Sequence, residues 1–311
     1  MKLIHLIPDG TKIRFLHFRK LALIGSLLLC VASIGLYAVK GLNYGIDFKG
    51  GILLEIRNPV PVDLASLRAK ISDIKLGSFE LQEFGQNTDV LIRIESQPGG
   101  APGQQKAIDE VKKVLGAGVE FRRTEFVGPT VSEELIEAGL TAVLLALASM
   151  LLYIWFRFEW QFGVGAVVAL THDVIMTIGV FALLGLEFNL TTVAAILTIA
   201  GYSINDTVVV YDRVRENLRK YKVMKLEEVL NLSLNDTLSR TLLTSFTTLI
   251  ALLILFFWGG EVIKGFSFAM IWGVVVGTYS SIFIAAPLLI HMNLRAEDVA
   301  LDEDDGTETV K

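Results

Sequence analysis

Six separate stretches of this chain are long and apolar enough to cross a lipid bilayer, and that pattern constrains its fold more than any other feature. A spanning helix needs roughly 20 mostly apolar residues. Such runs occur at residues 21–39, 135–155, 162–184, 191–210, 238–257 and 266–290. The composition agrees: 52% of the residues are hydrophobic, and the charged fifth is crowded into a few segments rather than spread along the chain. The expected class is an α-helical polytopic membrane protein with six transmembrane helices.

Lysine and arginine near helix ends favour the cytoplasm. Here they gather before the first span (Lys12, Arg14, Arg19, Lys20) and between the fourth and fifth (Arg213, Arg215, Arg219, Lys220, Lys222, Lys225). Residues 1–20 therefore form a cytoplasmic N-terminus, and six spans return the C-terminus to the same side. The first apolar run is too long for a signal-peptide core and reads as an uncleaved anchor. The net charge of −5 gathers its acidic excess in a polar cytoplasmic tail, residues 291–311, expected to be disordered. No basic surface suits nucleic acid. A single cysteine, Cys30, excludes an internal disulfide and a cysteine metal cluster, and suits packing; no metal or cofactor is expected.

Residues 40–134 form the one long loop, placed by this topology on the outer face. Residues 52–57 and 89–95 alternate as strands do, with Val90, Ile92 and Ile94 on one face. Residues 79–84 and 119–127 read as two more strands. Residues 62–75 and 104–115 carry apolar positions at helical spacing. The order strand, helix, strand, strand, helix, strand predicts an α+β domain of the ferredoxin-like βαββαβ kind, with residues 97–103 (QPGGAPG) as its most obvious flexible loop. Without paired carboxylates or a nucleophile elbow, binding suits it better than catalysis.

An ionisable residue inside a spanning helix is costly and usually faces the bundle interior or a watery path. Asp206 is the clearest case. Steps of three and four back from it meet Tyr202, Thr198, Ala195 and Thr191, a polar stripe running to the outer end of the fourth span. The alternative is a span that ends early, leaving Asp206 among the headgroups. In the fifth span Arg240 continues through Thr244, Thr247 and Ala251, so two polar stripes can face each other. Arg240 could equally be a topogenic, snorkelling residue. His172 and Asp173 lie midway across the third span, where a structural hydrogen bond and a proton-carrying role fit equally well. Asn205, Tyr202, Thr198, Thr244 and Thr247 join them as candidates for an auxiliary relay or for packing. Gly273 and Gly277 belong to a ridge of small residues spaced by four in the sixth span, which suits close helix packing. The basic, amphipathic stretch 213–225 reads as a topogenic loop lying on the lipid surface, with partner docking as the alternative. Residues 44–51 (YGIDFKGG) read as a turn into the first strand, the glycines suiting an unusual backbone.

These segments resemble the SecF side of the SecD/SecF family, within the resistance-nodulation-division superfamily. The carrying motifs are YGIDFKGG at residues 44–51 (with Tyr44, Gly45, Asp47, Gly50 and Gly51), IAGYSINDTVVVYDRVREN at 199–217, LNDTLSRTLLTSFTTL at 234–249 and IKGFSFAMIWGVVVGTYSSIF at 263–283. The resemblance implies a non-enzymatic subunit of the bacterial inner membrane, with no cofactor. It implies an obligate SecD partner, work alongside the SecYEG channel, SecA, preproteins and YajC, and use of the proton-motive force in export after the SecA step. It assigns the proton-dependent step to Asp206 and Arg240. The competing expectation is one half of a proton-coupled lipid or drug exporter of the same superfamily.

Overall fold

The computed structural model describes residues 12–292 and 294. Apart from residues 291, 292 and 294, the expected acidic tail lies outside the described residues. A 3-10 turn (Phe15–Phe18) leads into α1 (Arg19–Lys40), followed by β1 (Asn43–Tyr44), α2 (Ile46–Lys49), β2 (Gly51–Arg57), α3 (Leu64–Ser72), β3 (Phe79–Phe84), β4 (Gln86–Ile94), α4 (Gly100–Leu115) and β5 (Glu120–Val127). The remaining elements are α5 (Pro129–Arg157), α6 (Trp160–Leu184), β6 (Glu187–Phe188), α7 (Leu190–Lys220), α8 (Leu226–Trp258), α9 (Glu261–Ser280), a π-helical turn (Ser281–Ala285) and α10 (Ala286–His291). Two compact units result. One runs through Asn43, from Val143 to Leu186 and from Thr191 onward; the other comprises Tyr44–Ala142 and Glu187–Leu190.

Among the described residues, six helices have the length and apolarity to cross a membrane: Phe15–Lys40, Pro129–Arg157, Trp160–Leu184, Leu190–Lys220, Leu226–Trp258 and Val262–His291. In the helical unit α1 packs on α6, and α9 packs on both α6 and α8. Small residues allow the approach: a methyl group on Gly179 would fall within 2.3 Å of the Ser33 Cβ and Oγ. The core gathers Leu16, Phe158, Phe162, Tyr211, Val214, Leu234 and Leu289, with the Phe162 and Tyr211 rings edge to face at 4.8 Å. Gly185, at φ +66°, ends α6 and donates to the Phe181 carbonyl. The last carbonyls there also receive the Lys40 ammonium (to Leu183, 2.7 Å) and the Asn43 amide (to Gly185, 3.1 Å).

Residues 213–220, read from their charge as loop, continue α7 instead. Val214, Arg215, Asn217 and Leu218 are buried there, and no glycine or proline interrupts the turns, so only residues 221–225 connect α7 to α8. Arg215 donates to Glu159 at 2.9 Å and to the Arg157 carbonyl at 3.2 Å, while its guanidinium lies over the Phe158 ring. The sixth span is widened by the π turn, just before Pro287, which has no N–H to give.

The other unit is built on an antiparallel sheet ordered β3-β4-β2-β5. Ile52, Leu54 and Ile56 of β2 and Val90, Ile92 and Ile94 of β4 point to one face, where Leu67 and Ile71 of α3 and Ala107, Ile108 and Val111 of α4 close the core. Residues 100–103, expected in a flexible loop, form the first turn of α4. Pro102 is tolerated because first-turn N–H groups have no helical acceptor, and the buried Gln104 amide ties the turn back to Ser96 and the Gln97 carbonyl. Gly51 sits at φ +112°, and a Cβ there would lie 2.4 Å from the Ile94 carbonyl oxygen. Only glycine lets β2 begin that close to β4.

Candidate functional site

Asp206 lies in the middle of α7, only 6% exposed. Its Oδ2 is buried and has no hydrogen-bond partner among the described residues, and the same holds for the hydroxyl of Thr241 on α8. Thr241 and the charge of Arg240 are the groups that act on this carboxylate. A buried carboxylate oxygen and a buried hydroxyl are thus neighbours here, neither with a close hydrogen-bond partner among the described residues, which is uncommon for polar groups inside a protein.

The stripe leading to Asp206 is not uniformly inward. Thr191 and Thr198 are exposed, Ala195 is buried, and Tyr202 is half-buried. Thr198 returns its hydroxyl to the Ala194 carbonyl. The fifth-span stripe differs more. Arg240, Thr244, Thr247 and Ala251 are all exposed in this chain, and no ion pair within 4 Å joins Arg240 to Asp206 among the described residues. Thr244 and Thr247 bond back to carbonyls of their own helix, Arg240 and Leu243 respectively. The inward polar line of α8 runs one residue further round: Ser233, Thr237, Thr241 and Ser245, all buried. Tyr202 donates to Ser245 at 3.4 Å, and Ser245 shares a 2.8 Å hydrogen bond with Thr278 of α9. Asn205 is exposed.

Asp173 is fully buried, at 0% exposure, and it joins three helices. Its Oδ2 accepts from Ser203 of α7 at 2.6 Å and from Ser280 of α9 at 2.8 Å, and its Oδ1 meets His172 Nδ1 at 2.9 Å. Both neighbouring residues are therefore inside, although successive positions on a helix diverge by about 100°; helices on two sides of α6 make this possible. Gly277 stands opposite Ser203, where an added methyl would come to 3.1 Å of its Cβ, and one on Gly273 would meet Ile199 at 2.2 Å. Further along, Thr207 bonds Ser281 at 2.8 Å and Tyr211 donates to the Ala285 carbonyl across the π turn at 3.2 Å. Sequence reading missed Ser203, Ser280, Thr241, Ser245 and Thr278. The one available signal was the four-residue spacing of Thr237, Thr241 and Ser245.

The segment at residues 44–51 is more than a turn. Gly45 N–H donates to the Phe188 carbonyl at 2.9 Å, and Tyr44, Phe48 and Phe188 form an aromatic cluster with centroids about 6 Å apart. Asp47 accepts the Leu190 N–H on Oδ2 at 2.9 Å, and its carbonyl accepts from Ser132. Gly50 and Gly51 both take positive φ as the chain enters β2. Among the described residues no three His, Cys, Asp or Glu side chains converge as a metal centre requires.

A family model described as "Protein export membrane protein SecD/SecF, C-terminal" matches residues 106–295, and one described as "SecD/SecF GG Motif" matches residues 38–57. A protein translocase subunit SecF from Rhodobacter capsulatus is 44% identical over 96% of this chain and 95% of its own length. A SecF subunit from Rickettsia bellii is 45% identical over 92% and 95%. The crystal structure of SecDF from Thermus thermophilus, titled a translocon-associated membrane protein, superimposes with a TM-score of 0.84 at 35% identity, covering 91% of this chain. The present chain spans 39% of that longer one.

Proposed function

From the premise that the chain belongs to the SecD/SecF family of protein-export membrane proteins, we propose that it is the SecF-like subunit of a Sec translocase, working with a SecD partner to turn proton entry into export work. It is a multi-pass membrane protein. In this reading it resides in the bacterial inner membrane with both termini cytoplasmic. The unit containing β2 to β5 is its ferredoxin-like periplasmic domain, a reading supported by the βαββαβ order and the strand order β3-β4-β2-β5. SecYEG, SecA, preproteins and YajC are the wider partners. The relatives carry translocase names, so the exporter reading is set aside, and the subunit acts without enzymatic chemistry of its own.

The observation that carries this reading is the unsatisfied buried oxygen of Asp206 beside Thr241. Moving one charge across the membrane yields about 2.3 kcal/mol per 100 mV, a roughly fiftyfold shift of a two-state equilibrium. Protonating Asp206 removes the attraction of Arg240 and lets α7 and α8 rearrange. The exposed Arg240, Thr244 and Thr247 face suits contact with the six helices of SecD. In inner-membrane vesicles containing both subunits, Asp206→Asn should remove the proton-gradient-dependent part of preprotein export. Export at the parental level would overturn the proposal.

A further inference from the structure

The short loop after α6 carries more connections than a passive turn requires. Glu187 is held by Arg93 of β4 at 2.5 Å. The Phe188 carbonyl takes the Gly45 N–H, and its ring stacks on Phe48 at 5.9 Å. Leu190, the first residue of α7, gives its N–H to Asp47 at 2.9 Å. A Cβ at position 45 would lie 2.6 Å from Glu187 Oε1, so the backbone is pressed against this loop. All of these residues belong to one compact unit.

We infer that Asp47 and Arg93 are positioning residues that clasp the loop at Glu187–Leu190 and so fix the outer end of the helix that bears Asp206. The inference rests on the proton-coupling role of Asp206. A carboxylate facing the first N–H of a helix both satisfies an orphan donor and favours the positive end of the dipole. From Leu190 to Asp206 the helix rises about 24 Å without interruption. A rearrangement that follows a change at Asp206 thus reaches Leu190 through covalent helix. There the clasp passes it to the GG segment and β4, rather than leaving it to dissipate in a loose loop. Arg93 serves the clasp because its guanidinium is largely buried against the sheet (11% side-chain exposure) and cannot follow Glu187 outward.

The test uses vesicles carrying the full chain with its SecD partner, reading proton-gradient-dependent export separately from ATP-driven export. Arg93→Glu and Glu187→Arg should each lower the gradient-dependent part at least fivefold, leave the ATP-driven part unchanged, and recover to within twofold in the charge-swapped double variant. Single variants within twofold of the parent, or a double variant as impaired as either single one, overturn the inference. If the Arg93 variants fail to accumulate, Asp47 decides: Asp47→Ala should lose the gradient-dependent part and Asp47→Asn, which keeps an acceptor oxygen, should retain most of it. Equal activities for those two overturn the inference. Asp206→Asn in the same vesicles separates the readings: a normal Asp206→Asn undoes the coupling role itself, whereas an inactive one with normal clasp variants undoes only the clasp.

Discussion

The Ser203 hydroxyl donates to the Asp173 carboxylate at 2.6 Å, tying α7 to α6 less than one helical turn from Asp206. Ser280 brings α9 to the same oxygen. Asp173 thus meets protein groups on both oxygens, while Asp206 retains an unsatisfied one. The first has the surroundings of a fixed joint, and the second lacks them.

Removing the joint should cost more than removing one strut. Asp173→Ala removes the partner of Ser203 and His172, at about 1–3 kcal/mol for each buried polar group left unsatisfied, while Ser280 keeps the Gly277 carbonyl as acceptor at 3.1 Å. Ser203→Ala removes one bond, worth about 0.6 kcal/mol on average inside membrane proteins. Unfolding midpoints of the detergent-solubilised chain should fall in that order. A larger loss for Ser203→Ala contradicts the assignment.

Close packing of α1 on α6 depends on position 179. Gly179→Ala drives a methyl into Ser33 and should cost about 1–3 kcal/mol by overpacking. Combining it with Ser33→Gly removes the obstructing atoms and should recover most of the loss. Gly25→Ala, where nothing lies within 4 Å, should be neutral or slightly stabilising, since alanine is the better helix former. Thermal melts of the three variants read this directly.

The buried Asp89 carboxylate accepts from Arg57 Nε and Nη2, each at 2.6 Å. The Arg57 guanidinium holds its pKa below the ordinary carboxylate value. A depressed folded pKa gives stability that is fully present above the unfolded value, about 3.9, and lost as pH falls through the folded one. Hydrogen exchange in β2 and β4 should therefore stay flat from pH 7 to 5, after correction for intrinsic rates, and accelerate below about pH 4. Arg57→Met should weaken protection at neutral pH and flatten the acid response. An unchanged acid response in that variant contradicts the pairing as its cause.

Glu159 holds the buried Arg215 at the turn between α5 and α6. Glu159→Ala takes the carboxylate from a buried guanidinium that keeps its bond to the Arg157 carbonyl, and should cost up to about 3 kcal/mol, the low end for breaking a buried pair. Glu159→Gln keeps an acceptor and should be milder. Equal midpoints for the two variants speak against a buried pair.

The six apolar runs and Asp206 were legible because the bilayer leaves a chain few choices: a run of some 20 apolar residues and an intramembrane carboxylate each stand out against it. The facing of α8 was not. Arg240, Thr244 and Thr247 form one polar line, and Thr237, Thr241 and Ser245 another beside it. Neighbouring helices, absent from a helical wheel, decide which line turns inward. Ser203 and Ser280 escaped notice because serine in a spanning helix usually satisfies itself on its own backbone. Charge misled at residues 213–220, where Val214 and Leu218 keep the helix packed. Composition misled at residues 100–103, where glycine and proline sit in a helical first turn that tolerates both.

The second span, Pro129–Arg157, buries none of its most apolar 18-residue window among the described residues. Leu140, Leu144, Leu145, Trp155 and Phe156 all stand open. Such a helix owes its place to solvent rather than to cohesion. In a lipid-filled bilayer those side chains are already at home, and a neighbouring subunit gains little by hiding oil from oil. Assembly along this surface must then be selected by shape and by the few polar groups nearby. The same surface, carried into detergent, makes the micelle part of the fold.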